Sequence, residues 1–285
     1  MRVKSATWMR VTPAGIERAP RPFRERVADL AADLERVAII ARADLKATYF
    51  GRAFGWLWLI LEPLLLAGVY WIVTAVLWEV RPEDTSRFLA ILLSVVFWIW
   101  FARTLNAAPF VLTANATLLR DTGVPAPLLL AVTLVKELVN FALAFAVTLV
   151  FLLALGMRPG WALVSFPVVW LAQLVTMVCL TMVLAVAGTF VKDLATILAN
   201  LLPLVWFLSP GIYPAELVER RLPALAPFLM LNPLYYLLPS YEAIFIFDRI
   251  PPLRPLLIMI AAGVPALILA FALFRRARYR YYSHL

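Results

Sequence analysis

Four ionisable side chains stand inside otherwise apolar stretches: Glu62, Arg103, Lys136 and Glu137. Such residues are expensive in hydrocarbon, face other protein or water, and mark ion pairs, pathways or relays. Counted at the helical rise from the expected inner ends of their segments, Glu62 lies roughly 12 Å in, Arg103 roughly 14 Å, and Lys136 and Glu137 about 12 Å. Shared depth predicts one intramembrane charge cluster joining three helices, with Glu62–Arg103 as its main pair. The chemistry is an ion-pair lock rather than catalysis. Pro63 follows Glu62 directly; lacking an N–H, it frees the carbonyl of residue 59 and predicts a bend, tolerable where neighbouring helices or water satisfy the freed group.

Other catalytic arrangements are lacking. The one cysteine, Cys179, sits in an apolar run, and the one histidine, His284, is next to last. No spacing suits a metal site or a nucleophilic triad, so no metal and no enzyme are expected. The basic start lacks the short apolar core of a signal peptide.

The elements that must carry these residues follow from composition. The chain has 285 residues, is 64% hydrophobic and only 15% charged, against roughly 45–50% and about 25% in soluble domains. Its mean hydropathy is +0.89. Several apolar runs reach the roughly 20 residues a bilayer crossing needs, which predicts an all-α integral membrane protein; β-barrel strands would alternate apolar and polar residues. The net charge of +9 is concentrated before the first span and in Arg275, Arg276, Arg278 and Arg280. Flanking basic residues mark the cytoplasmic side, so both termini are expected inside, with contact to anionic lipid and no nucleic-acid partner.

Residues 1–22, with Pro13, Pro20 and Pro22, read as a basic flexible arm. Within 23–50, Val27, Leu30, Leu34, Val37 and Ile40 recur at helical steps with charges between them, an amphipathic helix on the cytoplasmic membrane surface. The remainder, 51–285, reads as a six-span domain with spans at about 54–77, 88–112, 128–155, 161–190, 194–208 and 253–274. Between the last two lies a long proline-rich segment, read as short helices half-buried on the outer side. No internal repeat of the secondary-transporter kind is evident.

Specific strings go further. GRAFGWLWLILEPLLLAGVYWIV, NAAPFVLTANATLLRDTGVPAPLLLAVTLVKELVNF and FVKDLATILANLLPLVWFLSPGIYP, followed by LNPLYYLLPSYEAIF, occur in one order across residues 36–282. Together they resemble the permease subunits of bacterial ATP-binding-cassette polysaccharide exporters of the O-antigen, teichoic acid, capsule and galactan type. The resemblance implies a bacterial inner-membrane permease that pairs with a second copy of itself and with a nucleotide-binding ATPase subunit. This sequence holds no G-x-x-x-x-G-K-[ST] phosphate loop, so ATP and magnesium would belong to that partner. The cargo implied is a glycan on a polyprenyl diphosphate lipid. Export of another amphiphile, a lipid or drug, is the alternative; a membrane-embedded glycan-processing enzyme is a more distant one.

Further residues gain roles through the resemblance. Leu118, Leu119, Arg120, Asp121, Thr122 and Gly123 fall where the family places a cytoplasmic coupling helix, although relatives are more basic there. Pro210, Tyr213, Pro214, Asn232 and Pro233 fall in re-entrant outer gate helices. A glycan slides well on flat rings, which nominates Phe97, Trp98, Trp100, Phe101, Tyr70 and Trp71 for the path; Trp and Tyr near span ends also serve as interfacial anchors.

Overall fold

The computed structural model describes residues 9–12, 15–18, 23–49, 54–78, 85–116, 119, 125–213, 220, 223–224 and 226–276. Apart from a short hairpin, these residues are helices and their connections. The hairpin pairs β1 (Met9–Thr12) with β2 (Gly15–Arg18) in antiparallel register, Met9 opposite Arg18. It stands where the sequence reads as a loose arm; paired backbone groups give order that composition alone does not announce.

Helix α1 (Phe23–Tyr49) precedes a single 3₁₀ turn, Gly55–Leu57, and α2 (Trp58–Trp78), with Pro63 inside it. Next come α3 (Thr85–Ala107), the one-turn α4 (Phe110–Thr113) and α5 (Ala126–Ala154). A 3₁₀ turn (Trp161–Ser165) leads into α6 (Phe166–Phe190), then α7 (Leu194–Phe207). The chain ends with α8 (Ala226–Leu229), α9 (Leu234–Phe245) and α10 (Leu253–Arg276).

Among the described residues, five helical stretches are long and apolar enough to cross a membrane: Gly55–Val76, Thr85–Ala107, Ala126–Ala154, Trp161–Phe190 and Leu253–Phe274. The protein is therefore a multi-pass helical membrane protein. Helix α7, with 14 residues, is about 21 Å long and falls short of a hydrocarbon core of roughly 30 Å. The second span stops at Ala107 rather than near residue 112, because Pro109 interrupts the hydrogen-bond ladder and the chain restarts as α4.

The core sits around α3, where Leu89–Leu93, Val95–Trp98, Trp100 and Phe101 are all buried. A helix that is apolar on every side belongs in the middle of a bundle, and α2, α5, α6, α7 and α9 surround this one. Lipid is the solvent for the outward faces, such as Leu65, Val69, Ile72 and Val76 of α2. Close helix approach relies on small residues: a Cβ on Gly188 of α6 would lie 2.5 Å from the Pro109 backbone, and one on Gly263 of α10 would lie 2.4 Å from Val175.

Helix α1 buries a strict i, i+4 stripe, Val37, Ala41, Leu45 and Tyr49. The upper part packs on Leu128 and Val132 of α5, the lower part on Leu59 and Val139. Leu34, counted in the apolar face by its spacing, is 61% exposed; the packed stripe begins one turn later.

Candidate functional site

The charge cluster forms where α1, α2, α3 and α5 meet. Arg103 of α3 donates from Nη2 to Oε2 of Glu62 on α2. On α5, Lys136 Nζ lies 3.7 Å from Glu137 Oε1, and Asn140 Nδ2 donates to Glu137 Oε2 at 3.2 Å. Tyr49, the last residue of α1, donates from its hydroxyl to Asn140 Oδ1 at 3.1 Å and stacks on Trp56. Burial pushes the Tyr49 phenol above its ordinary range; the Arg103 charge opposes the shift and the Glu137 charge adds to it. It therefore remains a neutral donor. The four residues nominated from sequence come together, and Tyr49 and Asn140 join them. Neither was singled out beforehand, since an amide and a phenol in apolar runs carry no distinctive spacing.

The depth differs from the count made on sequence. Glu62 is four residues into α2 and Arg103 four residues from the end of α3, so both lie only about 6 Å from those helix ends. Helix α5 starts ten residues before Lys136 and so projects past its neighbours; α1 packs along this projection. The cluster consequently lies near the ends of α2 and α3 rather than deep along them.

A second polar site lies at the opposite end of α3. Arg87 donates from Nη2 to the Ile212 carbonyl and places Nη1 3.7 Å from Glu242 Oε2. Ser94 donates to Glu242 Oε1 at 2.8 Å. The Glu242 carboxylate thus ties α9 to α3, and Arg87 ties α3 to the loop after α7. The partners of Glu242 are far apart in sequence and become neighbours only once α9 folds back into the bundle.

The two proline-marked strings also meet. Asn232 Nδ2 donates to Ser209 Oγ at 2.7 Å, and Asn232 Oδ1 accepts from the Leu234 backbone N–H at 3.1 Å, capping α9. Tyr213 donates to the Phe207 carbonyl at 2.9 Å. Pro210 is buried and Pro233 half-buried, whereas Pro214 lies outside the described residues.

The aromatic residues nominated for a glycan path are mostly closed off. Phe97 is fully buried, Trp100 and Phe101 are 3% exposed, and Trp98 is 8% exposed. Phe97 stacks on Tyr241 with centroids 3.5 Å apart, Trp100 on Phe141 at 4.2 Å, and Trp98 on Trp206 at 5.3 Å. The Tyr241 hydroxyl donates to Gln173 Oε1 at 2.7 Å. These rings, with the Tyr241–Gln173 bond, hold α3, α5, α6, α7 and α9 together, and their faces are occupied by one another. Tyr70 and Trp71 are half-buried at the edge of this core.

Leu119 is buried with Leu112, Leu129, Met182 and Phe274, and its N–H bonds to the Asn115 carbonyl. Leu118, Arg120, Asp121, Thr122 and Gly123 lie outside the described residues. Among the described residues no three His, Cys, Asp or Glu side chains gather as metal ligands would.

No family model matches the chain. It is 33% identical over 239 residues to the O-antigen export system permease protein RfbA of Myxococcus xanthus, covering 84% of this chain and 91% of that protein. A protein of the same name from Klebsiella pneumoniae is 24% identical over 246 residues, covering 86% and 93%. Identity of 33% over most of both chains, on a multi-pass helical chain, places the protein in the family of O-antigen export system permeases.

Proposed function

We propose that the chain is the membrane half of an ATP-binding-cassette exporter that moves a polyprenyl-diphosphate-linked polysaccharide across the bacterial inner membrane. The observation carrying this reading is the 33% identity to an O-antigen export permease over 84% of the chain. The chain is a transport subunit rather than an enzyme; a separate ATPase subunit supplies ATP hydrolysis with its own magnesium, and a second copy of this chain completes the path.

In this reading the chain crosses six times with both termini cytoplasmic, α7 and the loop after it making the short fifth crossing. The arm at 1–22 and the interface helix at 23–50 precede the permease domain at 51–285. Support for a cytoplasmic α1 comes from its docking on the inward projection of α5. The segment 118–124 couples to the ATPase. Its anchoring is supported by Leu119, whose burial against α6 and α10 would pass a push on the segment into two spanning helices. The short helices α8 and α9, with Pro210, Tyr213, Pro214, Asn232 and Pro233, form the outer gate. Phe97, Trp98, Trp100 and Phe101 shape the path from behind by holding its wall, with Tyr70 and Trp71 nearer its surface.

Depleting the chain in its host is expected to remove long-chain surface polysaccharide while its lipid-linked form accumulates on the cytoplasmic side. Both are read on glycan gels of surface and membrane fractions. Surface glycan at normal levels after depletion would refute the reading.

A further inference from the structure

Between α1, α2, α3 and α5 lies a cleft of about 310 Å³ whose wall includes Thr48, Tyr49, Trp58, Arg103 and Lys136. We propose that this cleft binds the phosphate headgroup of a lipid at the inner membrane surface, with Arg103 and Lys136 as its cationic ligands.

The two cations come from different helices and converge on one space. Their side chains are 32% and 23% exposed, open enough to meet a ligand and enclosed enough for the contact to count. Each faces one carboxylate and has donors beyond that contact. Arg103 meets Glu62 through one nitrogen of a group with five N–H donors. Lys136 is 3.7 Å from Glu137, an ion-pair distance beyond hydrogen-bond range. A phosphate offers what both cations lack: three or more acceptor oxygens on one centre, suited to the guanidinium fork and to an ammonium point charge together. The hydroxyls of Thr48 and Tyr49 stand on the same wall.

Position supports a lipid rather than a soluble anion. The cleft is one helical turn from the start of α2 and the end of α3, close enough to the ends of the spans for a headgroup to reach. Trp58 is 41% exposed at this level, as amphipathic rings are where headgroups begin. Just above it, the lipid-facing side of α2 exposes Leu65, Val69 and Ile72, an apolar track for the attached chain. The two carboxylates make the empty cleft neutral, so an incoming phosphate must compete with them. That arrangement gives moderate affinity and ready release, as a transport step needs. The phosphate could belong to a bulk anionic phospholipid or to the diphosphate of the cargo lipid; only the second source rests on the proposed function.

The test uses the full chain in phosphatidylcholine nanodiscs doped with either polyprenyl diphosphate or phosphatidylglycerol, with retained lipid counted by native mass spectrometry. The chain is expected to retain the dopant, and Arg103→Gln with Lys136→Gln to lower retention at least tenfold. Glu62→Gln with Glu137→Gln is expected to raise retention severalfold, because the competing carboxylates are gone; a purely structural cluster would not respond in this direction. Retention of polyprenyl diphosphate alone assigns the site to cargo, and equal retention of phosphatidylglycerol assigns it to membrane lipid. Retention unchanged in the cation variant, or lowered by the carboxylate variant, overturns the proposal. Either result is independent of surface glycan after depletion, so failure here and failure of the export reading are separable.

Discussion

Arg103→Glu alone is expected to cut surface polysaccharide at least tenfold and to lower the amount of folded protein. Glu62→Arg in the same chain should recover a substantial part of both. The single variant sets two carboxylates against each other where Arg103 now donates to Glu62. The pair is about one-third exposed on each side. Its loss should therefore fall between the 0–1 kcal/mol of a surface pair and the 3–5 kcal/mol of a buried one, about 1–3 kcal/mol. Recovery should be incomplete for a physical reason. A guanidinium and a carboxylate differ in length, volume and donor geometry, so the exchanged pair cannot meet in the same arrangement. Thermal unfolding in mild detergent and glycan gels together read the result. A double variant no better than either single would show that the two residues do not act as a pair.

Glu242→Ala should be more damaging to the fold. The Glu242 and Arg87 side chains are 11% and 14% exposed, and the carboxylate also accepts from Ser94. Removing it takes an enclosed acceptor from both Arg87 and Ser94, a loss of roughly 3–5 kcal/mol on the scale of broken buried pairs. Replacing both Glu242 and Arg87 by leucine should return much of that stability, since two apolar groups carry no charge to desolvate. Export should nevertheless stay low in the double variant. The contact from Arg87 to the Ile212 carbonyl holds the loop after α7 in place, and leucine cannot replace it. Unfolding midpoints and surface glycan measured on the same set separate the two effects. Glu242→Ala with a wild-type midpoint would remove this carboxylate from the account.

What could be read in advance divides along physical lines. Charges in apolar runs are rare enough that matched depth pointed to Glu62 and Arg103, even though their distance from the helix ends came out shorter. The long apolar runs were evident from hydropathy. Which face of each helix meets protein was not: α3 is apolar on every side, so nothing in its sequence separates a lipid-facing ring from a buried one. Phe97 and Trp100 looked like surfaces for a sliding glycan and instead pack on Tyr241 and Phe141. The Arg87–Glu242–Ser94 contact was hidden because it needs α9, 12 residues of proline-bearing sequence, to fold back against α3. In α1 the helical period was plain, but the choice between Leu34 and Tyr49 as packed positions depended on how far α5 projects.

The central claim is most directly tested by reconstituting the full chain with its ATPase subunit in proteoliposomes containing a labelled polyprenyl-diphosphate-linked polysaccharide. Translocation is followed as protection of the glycan from, or exposure to, a glycan-cleaving enzyme added outside. The account predicts that ATP moves the glycan to the far leaflet only when both chains are present. Glycan that stays in place while the complex hydrolyses ATP would contradict it.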